Sequence, residues 1–188
     1  MKLLRVSDVA PQPWKNGGGA TRELLAWPTP QDWWLRISVA DIERDGPFSA
    51  YPGVDRWFGV LEGEGVRLAW GDAPTQTVRA GDDLLHFDGG EPPGAQLLGG
   101  ATRDLNMMRR RGLGRVALCP ATQPAPEGFA MLALFARDAL RIEGGVAGAI
   151  DVPAMCLAWS AWQPWRVVWP MNAAAWWIAF SPAAGSPL

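Results

Sequence analysis

Short alternating runs, broken by glycine and proline, recur along this chain and constrain its fold more than any other feature. A period of two sends successive side chains to opposite faces of a strand, whereas a helix needs a period of 3.6. Within residues 33–40, Leu35, Ile37 and Val39 share one face while Arg36, Ser38 and Ala40 share the other. Within 55–61, Arg56, Phe58 and Val60 oppose Trp57, Gly59 and Leu61. The same reading predicts strands at 21–27, 75–78, 84–87, 95–98 and 104–109, and a hairpin over 60–68 turning on its glycines. Further strands are predicted at 129–135, 140–142, 155–159, 166–169 and 176–180, although 131–136 fits a helix equally well. Gly-Asp, Gly-Gly and Pro-Pro pairs punctuate these runs, so the expected fold class is all-β, a barrel or sandwich.

The chain has 188 residues, enough for one ordinary domain or two small joined ones with a core that needs no staples. The proline-rich stretch 120–128 is the expected linker, dividing 1–119 from 120–188. A formal net charge of −2 argues against nucleic acid as a partner, and Arg109-Arg110-Arg111 is too short a cluster to reverse that. Cys119 and Cys156 lie far apart in apolar runs and read as buried free thiols in a reducing compartment. The N-terminus lacks a signal-peptide run and no stretch nears ~20 apolar residues, so a soluble cytoplasmic protein with no membrane partner is expected. Of the residue types that hold transition metals, histidine occurs once, at His86, and the cysteines lack CxxC spacing. No metal or other cofactor is expected.

Three clusters carry the polar chemistry. Residues 14–23 (WKNGGGATRE) place Lys15, Asn16 and Thr21 around three glycines, among them Gly17 and Gly18. Such a loop either turns the chain into the next strand or converges N–H groups on a small anion, with Lys15 and Arg22 adding charge. It is no Walker loop, because the GxxxxGK[ST] spacing is missing. Residues 46–56 (GPFSAYPGVDR) bring Ser49, Tyr51 and Arg56. Arg56 opens a strand with an apolar face, where a guanidinium binds a carboxylate bidentately; that carboxylate is a ligand or an internal Asp. In residues 104–110 (DLNMMRR), Asp104 and Asn106 share a face with Met108. They serve a ligand or satisfy buried backbone groups. His86, between Leu85 and Phe87, reads as a partly buried, satisfied imidazole.

Residues 51–68 and 81–89 resemble the two motifs of a cupin, an RmlC-like jelly-roll β-barrel. With the last glycine of the first motif set on Gly63, Arg56 stands where the metal-binding Glu would be. The His-x-His pair falls around Ser49 to Pro52, and the second motif's histidine on Pro92. Replacing the carboxylate by Arg56 reverses the local charge and favours an anion. Together, residues 14–23, 36–40, 46–49, 52–56 and 104–108 resemble the HutD family (HutD/Ves) of small bicupin proteins, over roughly residues 1–112.

That resemblance implies a bicupin whose three clusters form one pocket. It also implies an association with histidine utilisation, through sensing or buffering of an acid such as formylglutamate. The expected function is metal-independent binding of a small anionic metabolite, with Lys15, Asn16, Gly17, Gly18, Thr21, Arg36, Ser38, Ser49, Tyr51, Arg56, Asp104 and Asn106 as ligand-binding residues. No catalytic residue is assigned. The alternative is a metal-independent isomerase or hydrolase of a small organic acid, with Lys15, His86, Asp104 or Glu23 as acid or base. A homodimer through the Trp-rich C-terminal half is a further reading; core packing is the cheaper account of most of these Trp residues.

Overall fold

The computed structural model describes residues 1–145, 148–170 and 172–183, and leaves the side chain of Trp169 aside. The chain begins with β1 (Lys2–Arg5), a single 3-10 turn (Val6–Asp8) and β2 (Gln12–Pro13). The strands β3 (Gly19–Pro28), β4 (Trp33–Ile42), β5 (Gly46–Pro47), β6 (Val54–Glu62) and β7 (Val66–Ala69) follow. Then come β8 (Gln76–Val78), β9 (Leu85–Asp88), β10 (Gly94–Leu97), β11 (Thr102–Arg110) and β12 (Gly114–Pro120). Last are β13 (Met131–Ala136), β14 (Leu140–Glu143), β15 (Ile150–Val152), β16 (Cys156–Ala161), β17 (Arg166–Trp169) and β18 (Ala175–Pro182). The fold is all-β, and 131–136, ambiguous in sequence, is a strand. No helix among the described residues is long and apolar enough to cross a membrane.

Two compact units divide the chain, Ala10–Arg111 and a second made of Met1–Val9 with Gly112–Leu188. This differs from the expected boundary at 119/120. Strand β1 pairs with β16, and β12 pairs along its whole length with β18, so both ends of the expected N-terminal half belong to the second unit. The stretch 120–128 is no linker either. Ala121 donates its N–H to Ala175 O, and the indoles of Trp162 and Trp177 bond the carbonyls of Pro126 and Gln123. Residues 184–188 of the expected half 120–188 lie outside the described residues.

The unit Ala10–Arg111 has a six-stranded sheet in the order β2-β3-β4-β11-β6-β9 and a four-stranded sheet in the order β5-β10-β7-β8. The expected hairpin over 60–68 is instead a corner. Strand β6 pairs with β11 and β9, whereas β7 pairs with β10 and β8. Gly63 and Gly65 take φ of 98° and 116°, and a Cβ on either would lie under 3.0 Å from backbone oxygen. Only glycine lets the chain pass from one sheet to the other at this point. The sheets enclose an apolar cluster: Ile42, Phe58 and Val60 from one, Val66, Leu68, Val78 and Ala95 from the other.

The other unit has a five-stranded sheet, β1-β16-β13-β18-β12, and a three-stranded one, β15-β14-β17. Its core takes Leu132, Leu134, Leu140, Ile142, Val152, Cys156, Trp165 and Trp177. Trp165, Trp176 and Trp177 are all buried, so this much of the Trp-rich stretch is core. Cys156 is buried, Cys119 half-buried, and both are free thiols.

Candidate functional site

The register of the six-stranded sheet places the polar clusters of the sequence in rows. On β11, Met108 sits opposite Arg36 of β4 and Arg56 of β6, and Asn106 sits opposite Ser38 and Phe58. One pair further along, Asp104 sits opposite Ala40 and Val60. Since alternate residues share a face, Arg36, Ser38, Ala40, Arg56, Phe58, Val60, Asp104, Asn106 and Met108 all project to one side. The reverse face carries Leu35, Ile37, Val39, Leu105 and Met107, all fully buried. Pairing on both edges and burial on both faces hold these strands rigid beneath the polar rows.

A cavity of about 460 Å³ opens over the rows. Of the expected binding residues, Lys15, Asn16, Thr21, Arg36, Ser38, Ser49, Tyr51, Arg56 and Asn106 line it. The sequence reading missed Gln12, Trp14, Phe48 and Met108, which complete much of the wall. Trp14 and Phe48 fall inside the quoted motifs, and an aromatic beside a cationic cluster was the signal available for them.

Arg56 is the most constrained group in the cavity. It is 7 % exposed, and its Nε and Nη2 both donate to Asn106 Oδ1, the first at 2.9 Å. Its guanidinium carbon lies 4.4 Å from the ring centre of Phe48 and 5.5 Å from that of Phe87. Burial lowers its pKa to about 10, so it keeps its charge at neutral pH. No Asp is hydrogen-bonded to it among the described residues; both bonds go to Asn106. Its neighbour Asp55 points to the opposite side, where it accepts from Arg109 and Arg111. Around the rim, Arg36 Nε donates to Glu23 Oε2 at 2.7 Å, and its Nη1 reaches the Tyr51 hydroxyl at 3.4 Å.

Gly17 and Gly18 do not line the cavity. Gly17 N–H donates to Trp14 O and Gly18 N–H to Asn16 Oδ1, at 3.0 Å each, so the turn itself takes up both donors. The loop is a turn and not an anion-binding nest. Asp104 is displaced as well: it lies beyond Asn106, fully buried, with Oδ2 accepting from the Thr102 hydroxyl at 2.9 Å. Burial pushes its pKa up to about 8, against the opposing effect of Thr102. His86 stands outside the cavity with its side chain 54 % exposed, not partly buried as expected, and stacks on Trp57 with ring centres 4.4 Å apart.

The basic cluster 109–111 is matched by acids. Arg109 bonds Asp55, Arg110 bonds Asp32, and Arg111 bonds Asp88 in a fork. The cupin resemblance raises the question of a metal, and the donor set here does not fit one. The cavity lining contains no His, Cys, Asp or Glu, and Arg56 fills it with positive charge. Nowhere among the described residues do three such side chains gather in a way that could hold a metal ion.

These features define an all-β protein with a cationic cavity on one sheet. The HutD family model matches residues 6–147, and the chain belongs to the HutD family. An uncharacterized 21.2 kDa protein in the hutC 3′ region of Pseudomonas putida is 38% identical over 110 residues, which cover 57% of each chain. The chain thus matches a little over half the length of that curated relative. Among solved structures, the conserved protein PA5104 of Pseudomonas aeruginosa PAO1 superposes with a TM-score of 0.84 at 27% identity, over 96% of this chain and 98% of that one. HutD from Pseudomonas fluorescens SBW25, in its formate condition, gives 0.83 at 20% identity over 97% and 99%. A Bacillus subtilis oxalate decarboxylase variant shares the fold more distantly, with a TM-score of 0.62 at 11% identity over 97% of this chain and 78% of that one.

Proposed function

We propose that this protein binds a small carboxylate, such as formylglutamate, without a metal, and through it regulates or buffers histidine utilisation. The observation that carries this reading is Arg56: a buried, charged guanidinium on the wall of a cavity, fixed by Asn106 and two aromatic rings. A desolvated cation attracts an anion far more strongly than an exposed one, because the local dielectric is low. Lys15 adds positive charge, Arg36 offers N–H donors beside its ion pair with Glu23, and Ser38, Ser49 and Tyr51 offer hydroxyls that orient a ligand. The place of the Pseudomonas putida relative in the hutC 3′ region and the formate condition of the Pseudomonas fluorescens HutD structure accord with this ligand class and setting. Of the acid–base candidates, His86, Asp104 and Glu23 are not on the cavity wall, which takes support from an isomerase or hydrolase. We take each unit to be a jelly-roll barrel, making the chain a bicupin, on the strength of its likeness to the oxalate decarboxylase fold.

Calorimetric titration with formylglutamate, formate, glutamate and urocanate tests the proposal. Saturable binding of at least one of them is expected. Absence of binding by all four to folded protein overturns the reading.

A further inference from the structure

Beside the cavity, a fully buried acid is denied the nearest buried cation. Among the described residues the Asp104 carboxyl has one hydrogen-bond partner, the Thr102 hydroxyl on Oδ2, and its Oδ1 has none. Arg56 is close enough for the two charges to interact, yet it turns two donors to the neutral Asn106. A buried carboxylate so poorly supported is unstable as an anion and is held as the neutral acid. The other charged groups described around it are engaged elsewhere. From β4, Asp41 adds negative charge that Arg22 and Arg103 largely absorb. Arg36 on the same strand is tied to Glu23 of β3, and Val60 on β6 and Ala40 on β4, the residues opposite Asp104, are apolar.

We propose that Asp104 holds a proton while the cavity binds an anion, and that its ionised form competes with that anion for the positive field of Arg56. Above the point where Asp104 ionises in the folded protein, binding then takes up one proton from solvent: carboxylate, anion and H⁺ give the neutral carboxylic acid with the anion bound. Below the point where Asp104 ionises in the folded protein, binding is proton-neutral. The site therefore recognises an anion best when its own acid is silent, which makes Asp104 a device that sets the pH range of binding. The elevation of its pKa to about 8 agrees with that geometry. Arg56 loses its own proton only near 10, so the two ionisations are separable.

This inference rests on the carboxylate-binding reading, and one experiment separates their failures. Formylglutamate, whose carboxylates are ionised throughout, is titrated into wild type and Asp104→Asn from about pH 6 to about pH 9, in buffers of contrasting ionisation enthalpy. Wild-type affinity is expected to fall about tenfold between about pH 7 and pH 9, with proton uptake, and the variant's by less than about twofold. A wild-type fall under about threefold, or equal falls in both proteins, overturns the role of Asp104 while leaving the binding site standing. No binding at any pH overturns the binding reading and this inference with it. Should Asp104→Asn fail to fold, Thr102→Val replaces it. Loss of the hydroxyl that supports the ionised carboxyl is expected to move the pH midpoint upward, and an unmoved midpoint overturns the proposal.

Discussion

Arg56 and Asn106, fifty residues apart in sequence, are joined by two hydrogen bonds from one guanidinium to a single amide oxygen. The partner is neutral, so the positive charge of Arg56 is held in place without being cancelled. Arg56→Ala is expected to lower affinity for a small carboxylate ten- to a hundredfold, the effect of losing a charge-assisted hydrogen bond of about 1.5–3 kcal/mol. Asn106→Asp, nearly isosteric, places a carboxylate on Arg56 from within and is expected to abolish anion binding in calorimetry. Its thermal stability should change far less than its affinity. An Asn106→Asp protein that binds as well as wild type contradicts the role given to Arg56.

The burial of Asp104 has a consequence for stability as well as binding. Its folded pKa is raised to about 8 from an ordinary value of 3.8. The folded chain therefore keeps a proton that the unfolded chain has already released. Stability is full below about pH 4 as far as this group is concerned, and is lost progressively as pH rises to about 8. Asp104→Asn removes the dependence. In denaturant titrations the variant is expected to gain on wild type by about 1 kcal/mol per pH unit across that window, and to run parallel to it above. Parallel curves from about pH 5 to pH 8 exclude a buried neutral acid at this position.

On the acid side the ion chain on β3, β4 and β11 makes the opposite prediction. Burial raises the pKa of Asp41, but hydrogen bonds from Arg103 and Arg22 outweigh it and hold the carboxyl below its usual value of 3.8. Its contribution is present above that value and disappears as pH falls through the lower folded one. Asp41→Asn is expected to cost about 1–2 kcal/mol at neutral pH, since both arginines lose a charged acceptor, and to flatten the acid limb below about pH 4. Equal acid limbs in chemical denaturation of the two proteins contradict it.

Much of this site was legible because strand alternation is a local property. Arg36 with Ser38, and Asp104 with Asn106 and Met108, fall on shared faces by period alone, and the structure keeps them there. What alternation does not encode is which strand pairs with which. The residues 60–68 satisfy every local rule for a hairpin, yet β7 leaves β6 for another sheet, because the apolar cluster of Val66 and Leu68 closes only against Ile42, Phe58 and Val60. For the same reason β1 joins β16 across more than 150 residues of sequence. Depth was equally hidden: Asp104 and Asn106 are equivalent by pattern, and only the third dimension puts one on the cavity wall and the other beyond it.

The three consecutive glycines carry different duties, and substitution distinguishes them. Gly17 has φ of 67°, and a Cβ there meets nothing within 4 Å. Gly17→Ala should cost about 1–2 kcal/mol for the left-handed backbone alone, with affinity for a carboxylate unchanged, since the cavity does not use its N–H. At Gly19 a Cβ would lie 2.1 Å from the carbonyl oxygen of Asp41, against fixed backbone of the neighbouring strand. Gly19→Ala must push β3 off β4 at its start and drag Lys15, Asn16 and Thr21 from the wall. Loss of affinity of tenfold or more is expected, together with a lower melting temperature. An anion-binding glycine loop predicts the reverse order, with Gly17→Ala the more damaging to binding, and calorimetry on the two variants decides between them.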